Sequence, residues 1–182
     1  NILDKKIFLR AMEALLQTAR RFPDLTHLDF GGGFGIPYAP GEKPLDLASL
    51  GKKVTLRFRQ FQRKCKKPLS MSFEPGRYPV AESGFLLVTV TDIKRNPTRT
   101  FVGVNSGFNH LIRPAMYGAY HEILPVRSPS PLKGEGRGEG GKRRYDVVGP
   151  VCESGDFFAK DRTLPALQPG DLLAVMSAGA YG

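Results

Sequence analysis

Two short loops in the sequence carry residue types that suit the binding of an anion. The first loop contains Gly31–Gly33 and Gly35, and it follows the apolar run THLDF. Glycine inside a regular element costs roughly 0.5–1 kcal/mol relative to alanine, so this run of glycines needs a reason. Bare main chain lets a phosphate or carboxylate approach several N–H donors at once. A tight turn that binds nothing is the alternative, and these residues alone leave both interpretations open.

The spacing of the glycines excludes two common phosphate-binding motifs. A dinucleotide fingerprint, G-x-G-x-x-G, that begins at Gly31 requires glycine at position 36, where the chain has Ile36. The P-loop requires Gly-Lys-Ser/Thr after four spacers, and this stretch does not contain it. The pattern instead indicates a strand that ends in bare backbone, as at the phosphate sites of (β/α)8 barrels.

The second loop is Glu74-Pro75-Gly76-Arg77, and it ends the apolar run LSMSF. Pro75 fixes one backbone dihedral, Gly76 permits a close approach, and Arg77 adds a cation. A carboxylate at the end of an apolar strand is costly unless it has a partner. We therefore expect Glu74 to face a cation such as a protonated ring nitrogen, with an internal pair to Arg77 as the alternative.

Helices and strands that alternate along the first 80 residues must position these two loops. Asp4 is a candidate N-cap for a helix that reaches about residue 21, because apolar residues recur there at the helical period. A second helix is predicted over residues 45–65. Short apolar strands are predicted at residues 26–30 and 69–73, each ending at one of the loops. This alternation predicts a parallel α/β unit.

After Pro79 the sequence changes to β-rich segments separated by turn residues: GFLLVTVTDIKR, TRTFVGVNS, RRYDVVGPV and GDLLAVMSA. They predict an antiparallel sheet domain that starts near residue 82. Between two of these segments, residues 126–144 contain only Leu132 as an apolar residue after Val126. Such a composition cannot bury a core, so we expect a disordered surface insert without a catalytic part.

Composition narrows the classes of function. The chain has 182 residues, a formal net charge of +10 and two cysteines, Cys65 and Cys152. Much of the basic excess lies in residues 57–67, which resemble an exposed helix face, and in the low-complexity residues 133–144, so charge alone does not favour nucleic-acid binding. No apolar run reaches the ~18 residues of a membrane helix. The few cysteines favour a reducing, cytoplasmic setting. The absence of an initiator Met leads us to expect a fragment.

Five blocks of the sequence together resemble the C-terminal half of the fold-type III pyridoxal phosphate (PLP) decarboxylases: LDFGGGFG, FEPGRYPVAESG, GFNHLIRPAMYGAYHEI, VVGPVCESGDFFAKDR and GDLLAVMSAGAYG. The blocks NHLIRPAMYGAYH and GPVCESGD favour the diaminopimelate branch over the ornithine and arginine branches. The resemblance implies the C-terminal part of a PLP-binding (β/α)8 barrel over residues 1–81 and an antiparallel β-domain over residues 82–182. It also implies a homodimer whose active sites are shared across the interface.

The same resemblance implies cofactor contacts. Residues Gly31, Gly32 and Gly33 resemble the loop that holds the PLP phosphate, as does the backbone of Gly76 and Arg77. Glu74 resembles the acid that pairs with the pyridine nitrogen and keeps it protonated. Tyr181 resembles a residue that touches both the cofactor phosphate and the substrate. No metal ligand is implied.

Substrate contacts are implied in the second half of the chain. Arg113 and Tyr117, together with Arg77, resemble the groups that hold substrate carboxylates, for which a planar guanidinium is suited. Cys152 resembles a proton donor to Cα, and Glu153 a ligand of the distal amino group, both contributed from the other subunit. The alternatives are structural: a helical-turn pair for Arg113 and Tyr117, a buried packing role for Cys152, and disorder for the residue near the end, Tyr181.

The implied reaction is decarboxylation of meso-2,6-diaminopimelate to L-lysine and CO2. Decarboxylation of another basic amino acid is one alternative, and a non-catalytic decarboxylase homologue is another. The family's PLP-anchoring lysine and ring-stacking histidine do not occur here, because Lys5, Lys6, His27, His110 and His121 lie in other sequence contexts. We therefore expect these 182 residues alone to be inactive and poorly folded.

Overall fold

A computed structural model of the chain describes residues 1–66, 68–126 and 141–181. The chain forms two compact units: the first is Asn1–Val80, and the second begins at Ala81. Within the described ranges no helix combines the length and the apolar character needed to cross a membrane.

The first unit contains, in chain order, α1 (Lys5–Ala19), β1 (His27–Asp29), α2 (Leu47–Cys65), β2 (Ser70–Ser72) and α3 (Arg77–Val80). The Asp4 side chain accepts a hydrogen bond from the Lys6 N–H at 2.8 Å, which confirms the predicted N-cap of α1. Asp46 caps α2 in the same way. The apolar faces of α1 and α2 pack with β1 into one core, whose buried members include Leu9, Met12, Leu16, Leu28, Leu50, Val54 and Phe58.

Strands β1 and β2 pair in parallel, with Leu28 opposite Met71. The predicted parallel pairing is therefore confirmed for these two strands. Side chains alternate between the two faces of a strand, so Leu28 enters the core while His27 and Asp29 lie on the opposite face and are exposed. The two loops of interest consequently follow neighbouring strands at the same end of this sheet.

In its described residues the second unit begins with a 3-10 turn at Ala81–Ser83 and continues with six strands and one short α-helix: β3 (Leu86–Arg95), β4 (Thr100–Val104), α4 (Arg113–Tyr117), β5 (Ile123–Val126), β6 (Arg143–Val148), β7 (Phe157–Leu164) and β8 (Leu172–Val175). The strands form one sheet in the order β5-β8-β3-β4-β6-β7. Its core is built from buried residues on every strand, among them Val88, Val102, Ile123, Val147, Phe158 and Leu173.

The prediction of a purely antiparallel sheet is wrong, because β4 and β6 pair in parallel, with Val102 opposite Val147. The other strand pairs of the described residues are antiparallel, so the sheet is mixed. The physical reason is that the connection from β4 to β6 contains α4 and β5, which bring the chain back to begin β6 in the direction of β4.

The predicted bounds of the insert, 126–144, are too wide. Val126 belongs to β5, while Arg143 and Arg144 belong to β6. Residues 127–140, on which the rest of this prediction falls, lie outside the described residues. Two strands, β5 and β7, were not among the predicted segments.

Candidate functional site

The two loops of the first unit are joined through their main chains. The Phe30 N–H donates to the Ser72 carbonyl at 3.1 Å, and the Glu74 N–H donates to the Gly31 carbonyl at 2.9 Å. A Cβ added at Gly32 would collide with the main-chain carbonyl oxygen of Glu74. Only glycine permits this approach, so Gly32 is explained by the packing of one loop against the other.

The other two glycines of the run are explained by conformation. Gly31 has φ of +67° and Gly33 has φ of +91°, in the left-handed region that side-chain-bearing residues rarely adopt. The Gly31 N–H also donates to the Asp29 carboxylate at 2.6 Å. The whole run therefore has a structural reason, and it exposes main chain where β1 ends.

Asp29 anchors the first loop and was not among the predicted site residues. Its second carboxylate oxygen accepts a hydrogen bond from the Ser72 hydroxyl at 2.5 Å. The hydrogen bonds from Ser72 and then Gly31 hold the pKa of the Asp29 carboxyl below its ordinary value. His27 lies beside it, with its ring nitrogens 2.7 Å from the Ser70 hydroxyl and 2.9 Å from that of Ser72. The signal in the sequence is the alternation in HLD and SMS, which puts these polar residues on one face.

The second loop carries Glu74, Gly76 and Arg77. The Gly76 N–H donates to the Glu74 carbonyl at 2.9 Å, which closes a tight turn. The Glu74 side chain is exposed, so its carboxylate lies open to solvent in this unit. Arg77 begins α3 and is half-buried, and its guanidinium carbon lies 5.8 Å from the centroid of the Tyr38 ring.

The first unit thus brings Gly31–Gly33, Glu74, Gly76 and Arg77 to one end of β1 and β2. Bare main chain at the end of a strand fits the chemistry of a phosphate dianion, because it supplies N–H donors, and Arg77 adds a positive charge to the neighbouring loop. Glu74 adds a carboxylate that is open to a cationic ring nitrogen. The residues present therefore fit PLP, although their roles stay predictions.

Arg113 is the first residue of α4 and is buried, with 7% of its surface exposed. Its Nη1 donates to Nε2 of His121 at 2.8 Å, and His121 is fully buried. Tyr117 ends the same helix but is 72% exposed. Gly118 follows in the left-handed conformation and caps the helix. The two predicted carboxylate ligands therefore share one short helix but have different surroundings.

Cys152 and Glu153 are both exposed in the loop between β6 and β7. Exposure argues against the alternative that Cys152 is a buried packing residue. The Glu153 carboxylate accepts from the N–H of Gly155 at 3.2 Å within its own loop. Both residues consequently lie on a loop whose shape depends on local hydrogen bonds.

Asp156 organises this loop from inside the protein. It is 4% exposed; its Oδ1 accepts from the Phe108 N–H at 2.7 Å and its Oδ2 from the Val151 N–H at 2.8 Å. A Cβ added at Gly149 would collide with this carboxylate. One buried carboxylate thus joins the loop after β4 to the loop that carries Cys152. Asp156 lies within the block VVGPVCESGDFFAKDR, but no motif or residue spacing in that block predicted its structural role.

Tyr181 lies at the end of a segment that is fastened near the start of the second unit. The Ala178 N–H donates to the Gly84 carbonyl at 2.8 Å, and the Gly179 N–H donates to the Ala81 carbonyl at 3.0 Å. Tyr181 itself has φ of +61° and is 59% exposed. The second unit thus carries Arg113, Tyr117, Cys152, Glu153 and Tyr181 on three separate segments.

The chain belongs to the pyridoxal-dependent decarboxylases, since residues 8–179 match the model of that family's C-terminal sheet domain. A diaminopimelate decarboxylase of Methanothermobacter thermautotrophicus is 45% identical over 99% of this chain and 41% of its own length.

Solved structures agree with this assignment. A crystal structure of diaminopimelate decarboxylase covers the whole chain with a TM-score of 0.88 and 34% identity, over 44% of its own length. The diaminopimelate decarboxylase of Helicobacter pylori, solved with L-lysine, covers it with a TM-score of 0.81 and 35% identity, over 42% of its own length. The chain therefore spans less than half the length of the relatives it matches.

Proposed function

We propose that this chain is the C-terminal part of an enzyme that decarboxylates meso-2,6-diaminopimelate to L-lysine and CO2 with PLP. In this proposal residues 1–81 complete a (β/α)8 barrel, and two copies form a dimer with shared active sites. A reducing compartment such as the cytoplasm suits the enzyme, because Cys65 and Cys152 are free thiols.

The observation that carries the proposal is the junction of two glycine-bearing loops at one end of β1 and β2, in a chain of this family. The Gly31–Glu74 hydrogen bond and the close approach at Gly32 create a main-chain surface that suits a phosphate. The named relatives support diaminopimelate as the substrate, and the H. pylori structure contains L-lysine, the proposed product.

On the cofactor side, the N–H groups of Gly32 and Gly33 and the backbone of Arg77 would hold the phosphate of PLP, while Gly31 and Gly76, whose N–H groups bind Asp29 and Glu74, shape the two loops. The Glu74 carboxylate would face the pyridine nitrogen and keep it protonated. Bound PLP supplies an electron sink for the pair released from the bond between Cα and the carboxylate. Tyr181 would contact the phosphate and the substrate.

On the substrate side, Arg77, Arg113 and Tyr117 bind carboxylates, the arginines through paired N–H groups. Glu153 binds the amino group of the distal amino acid centre of diaminopimelate. A distal amino acid group needs more polar contacts than the simple side-chain amine of another basic amino acid, so Glu153 favours diaminopimelate. After CO2 has left, the Cys152 thiol donates its proton to Cα, and the thiolate regains a proton from water.

The test uses the full-length protein that contains this chain, supplied with PLP. We expect a visible absorbance band from bound cofactor and formation of L-lysine from meso-diaminopimelate. Ornithine, arginine and lysine serve as competing substrates in parallel reactions. If ornithine, arginine or lysine is decarboxylated faster than meso-diaminopimelate, that amino acid is the substrate. If none of the four is decarboxylated, the proposal that the protein is a decarboxylase is refuted.

A further inference from the structure

One buried partner of Arg113 is a histidine whose protonation state the geometry defines. A guanidinium can only donate hydrogen bonds, so Nε2 of His121, 2.8 Å from Arg113 Nη1, must be the acceptor. Nδ1 of His121 lies 2.8 Å from the carbonyl oxygen of Met176, which can only accept. His121 is therefore neutral and carries its proton on Nδ1.

His121 is itself held firmly by the sheet. It lies two residues before β5, and the Met176 N–H donates to the Glu122 carbonyl at 2.8 Å, which extends the pairing of β5 with β8. The carbonyl of His121 accepts from Nη1 of Arg162 at 2.9 Å. A continuous set of hydrogen bonds thus leads from the end of β8 through the imidazole to the guanidinium of Arg113.

The choice of a neutral partner has a chemical consequence. A carboxylate in this position would orient Arg113 but would also neutralise its charge. A neutral imidazole accepts one of the five guanidinium N–H donors and leaves the positive charge in place. Such a partner suits an arginine whose task is to bind an anion.

We propose that His121 is a positioning residue, which fixes the Arg113 guanidinium in the orientation that binds a substrate carboxylate. The proposal rests on the proposed function, in which Arg113 is a carboxylate ligand. His121 contacts Arg113 rather than the substrate, so its replacement should weaken substrate binding more than it slows the chemical step.

Two substitutions in the full-length enzyme separate the two hydrogen bonds of the imidazole. The amide nitrogen of His121→Asn can replace Nδ1 and donate to Met176, but its side chain is too short to reach Arg113. The amide oxygen of His121→Gln can replace Nε2 and accept from Arg113. Ile123→Val, in the neighbouring buried position of β5, serves as a packing control.

We expect His121→Asn to raise KM at least tenfold with a smaller change in kcat, and His121→Gln to recover much of the loss. Ile123→Val should lower Tm and leave KM unchanged. Equal losses in the Asn and Gln variants, or a fall in kcat alone, would overturn the positioning role. The assay uses whichever amino acid the wild type decarboxylates, so an error in the proposed substrate does not affect it.

A second measurement is independent of activity. Nitrogen-15 NMR of the wild type labelled at histidine reports the tautomer of His121, assigned by comparison with His121→Gln. The proposal requires the neutral Nδ1–H form at neutral pH. A protonated ring, or the Nε2–H tautomer, would overturn it even if the enzyme proved inactive on every amino acid tested.

Discussion

Removal of the Asp156 carboxylate is expected to release the loop that carries Cys152. In Asp156→Ala the N–H groups of Phe108 and Val151 lose their acceptor. A hydrogen bond to a charged group contributes about 1.5–3 kcal/mol. Phe108 is half-buried and Val151 is 39% exposed, so water reaches both N–H groups after the change. The lower value applies, and the two bonds together give about 3 kcal/mol.

Hydrogen exchange of the full-length protein measures this loss at the two amides concerned. A local loss of about 3 kcal/mol corresponds to roughly a hundredfold faster exchange at Phe108 and Val151. Turnover should fall as well, because Cys152 follows Val151 directly. Asp156→Asn keeps the shape of the side chain but directs its amide NH2 group at one of the two N–H groups. Hydrogen exchange at that backbone amide should therefore also be faster.

Asp92 provides the matched control, since it is an exposed aspartate of β3. Asp92→Ala is expected to change stability by no more than about 0.5 kcal/mol and to leave both amides protected. Unchanged protection at Phe108 and Val151 in Asp156→Ala, or the same loss in Asp92→Ala, would show that the buried carboxylate does not hold the two loops together.

Three further outcomes are expected in the full-length enzyme. Gly32→Ala should weaken PLP binding more than Gly31→Ala does, as measured by titration of the cofactor absorbance. The alanine at position 32 forces two strand ends apart at a cost of about 1–3 kcal/mol, whereas the alanine at position 31 meets open space and costs about 1–2 kcal/mol in backbone strain. The reverse order would contradict the close approach at Gly32. Cys152→Ala should lower kcat severely with little change in KM, and equal turnover would remove Cys152 from the mechanism. Because the pKa of Asp29 is lowered on folding, its hydrogen bonds stabilise the protein above the unfolded pKa of about 3.9 and are lost as pH falls further. Thermal unfolding of Asp29→Asn should show a weaker acid dependence than the wild type, and identical pH profiles would contradict this.

The first unit was predictable because its signals are local. The caps and apolar periods predict α1 and α2, and the short apolar runs between them predict β1 and β2. Alternation of helix and strand then favours the parallel pairing that the structure has. Each inference needs only neighbours within a few residues.

The strands that were missed carry misleading local signals. Strand β5 contains Pro125, and β7 contains the charged run Lys160, Asp161 and Arg162. Both lie at the edges of the sheet, where a proline that cannot donate and charged residues are tolerated. Strand β5 pairs with β8, which is distant in sequence, whereas β7 pairs with the preceding strand β6 and was hidden by its charged run alone.

The supporting residues of the site were hidden for a similar reason. The acceptor for His121 Nδ1 is Met176, 55 residues away, and the Phe108 N–H that Asp156 binds is 48 residues away. The close approach at Gly32 depends on a carbonyl in another loop. Residue type and spacing identified candidates for chemistry, whereas the groups that position them became visible only once distant segments were paired.

The sheet order also sets how long the segment between β5 and β6 must be. Three strands separate the two, so four spacings of ~4.8 Å require a lateral path of about 19 Å. Strand β3 serves as the common reference, since Val126 lies level with Thr89 and Arg143 lies beyond Arg95. The two ends of the segment are therefore also separated by about 26 Å along the strand direction. The straight path is then about 32 Å, whereas residues 127–142 reach about 54 Å when extended. The described strands therefore require roughly ten of these residues, so we expect an enzyme shortened by about six residues there to keep its topology and to lose less entropy on closing the loop.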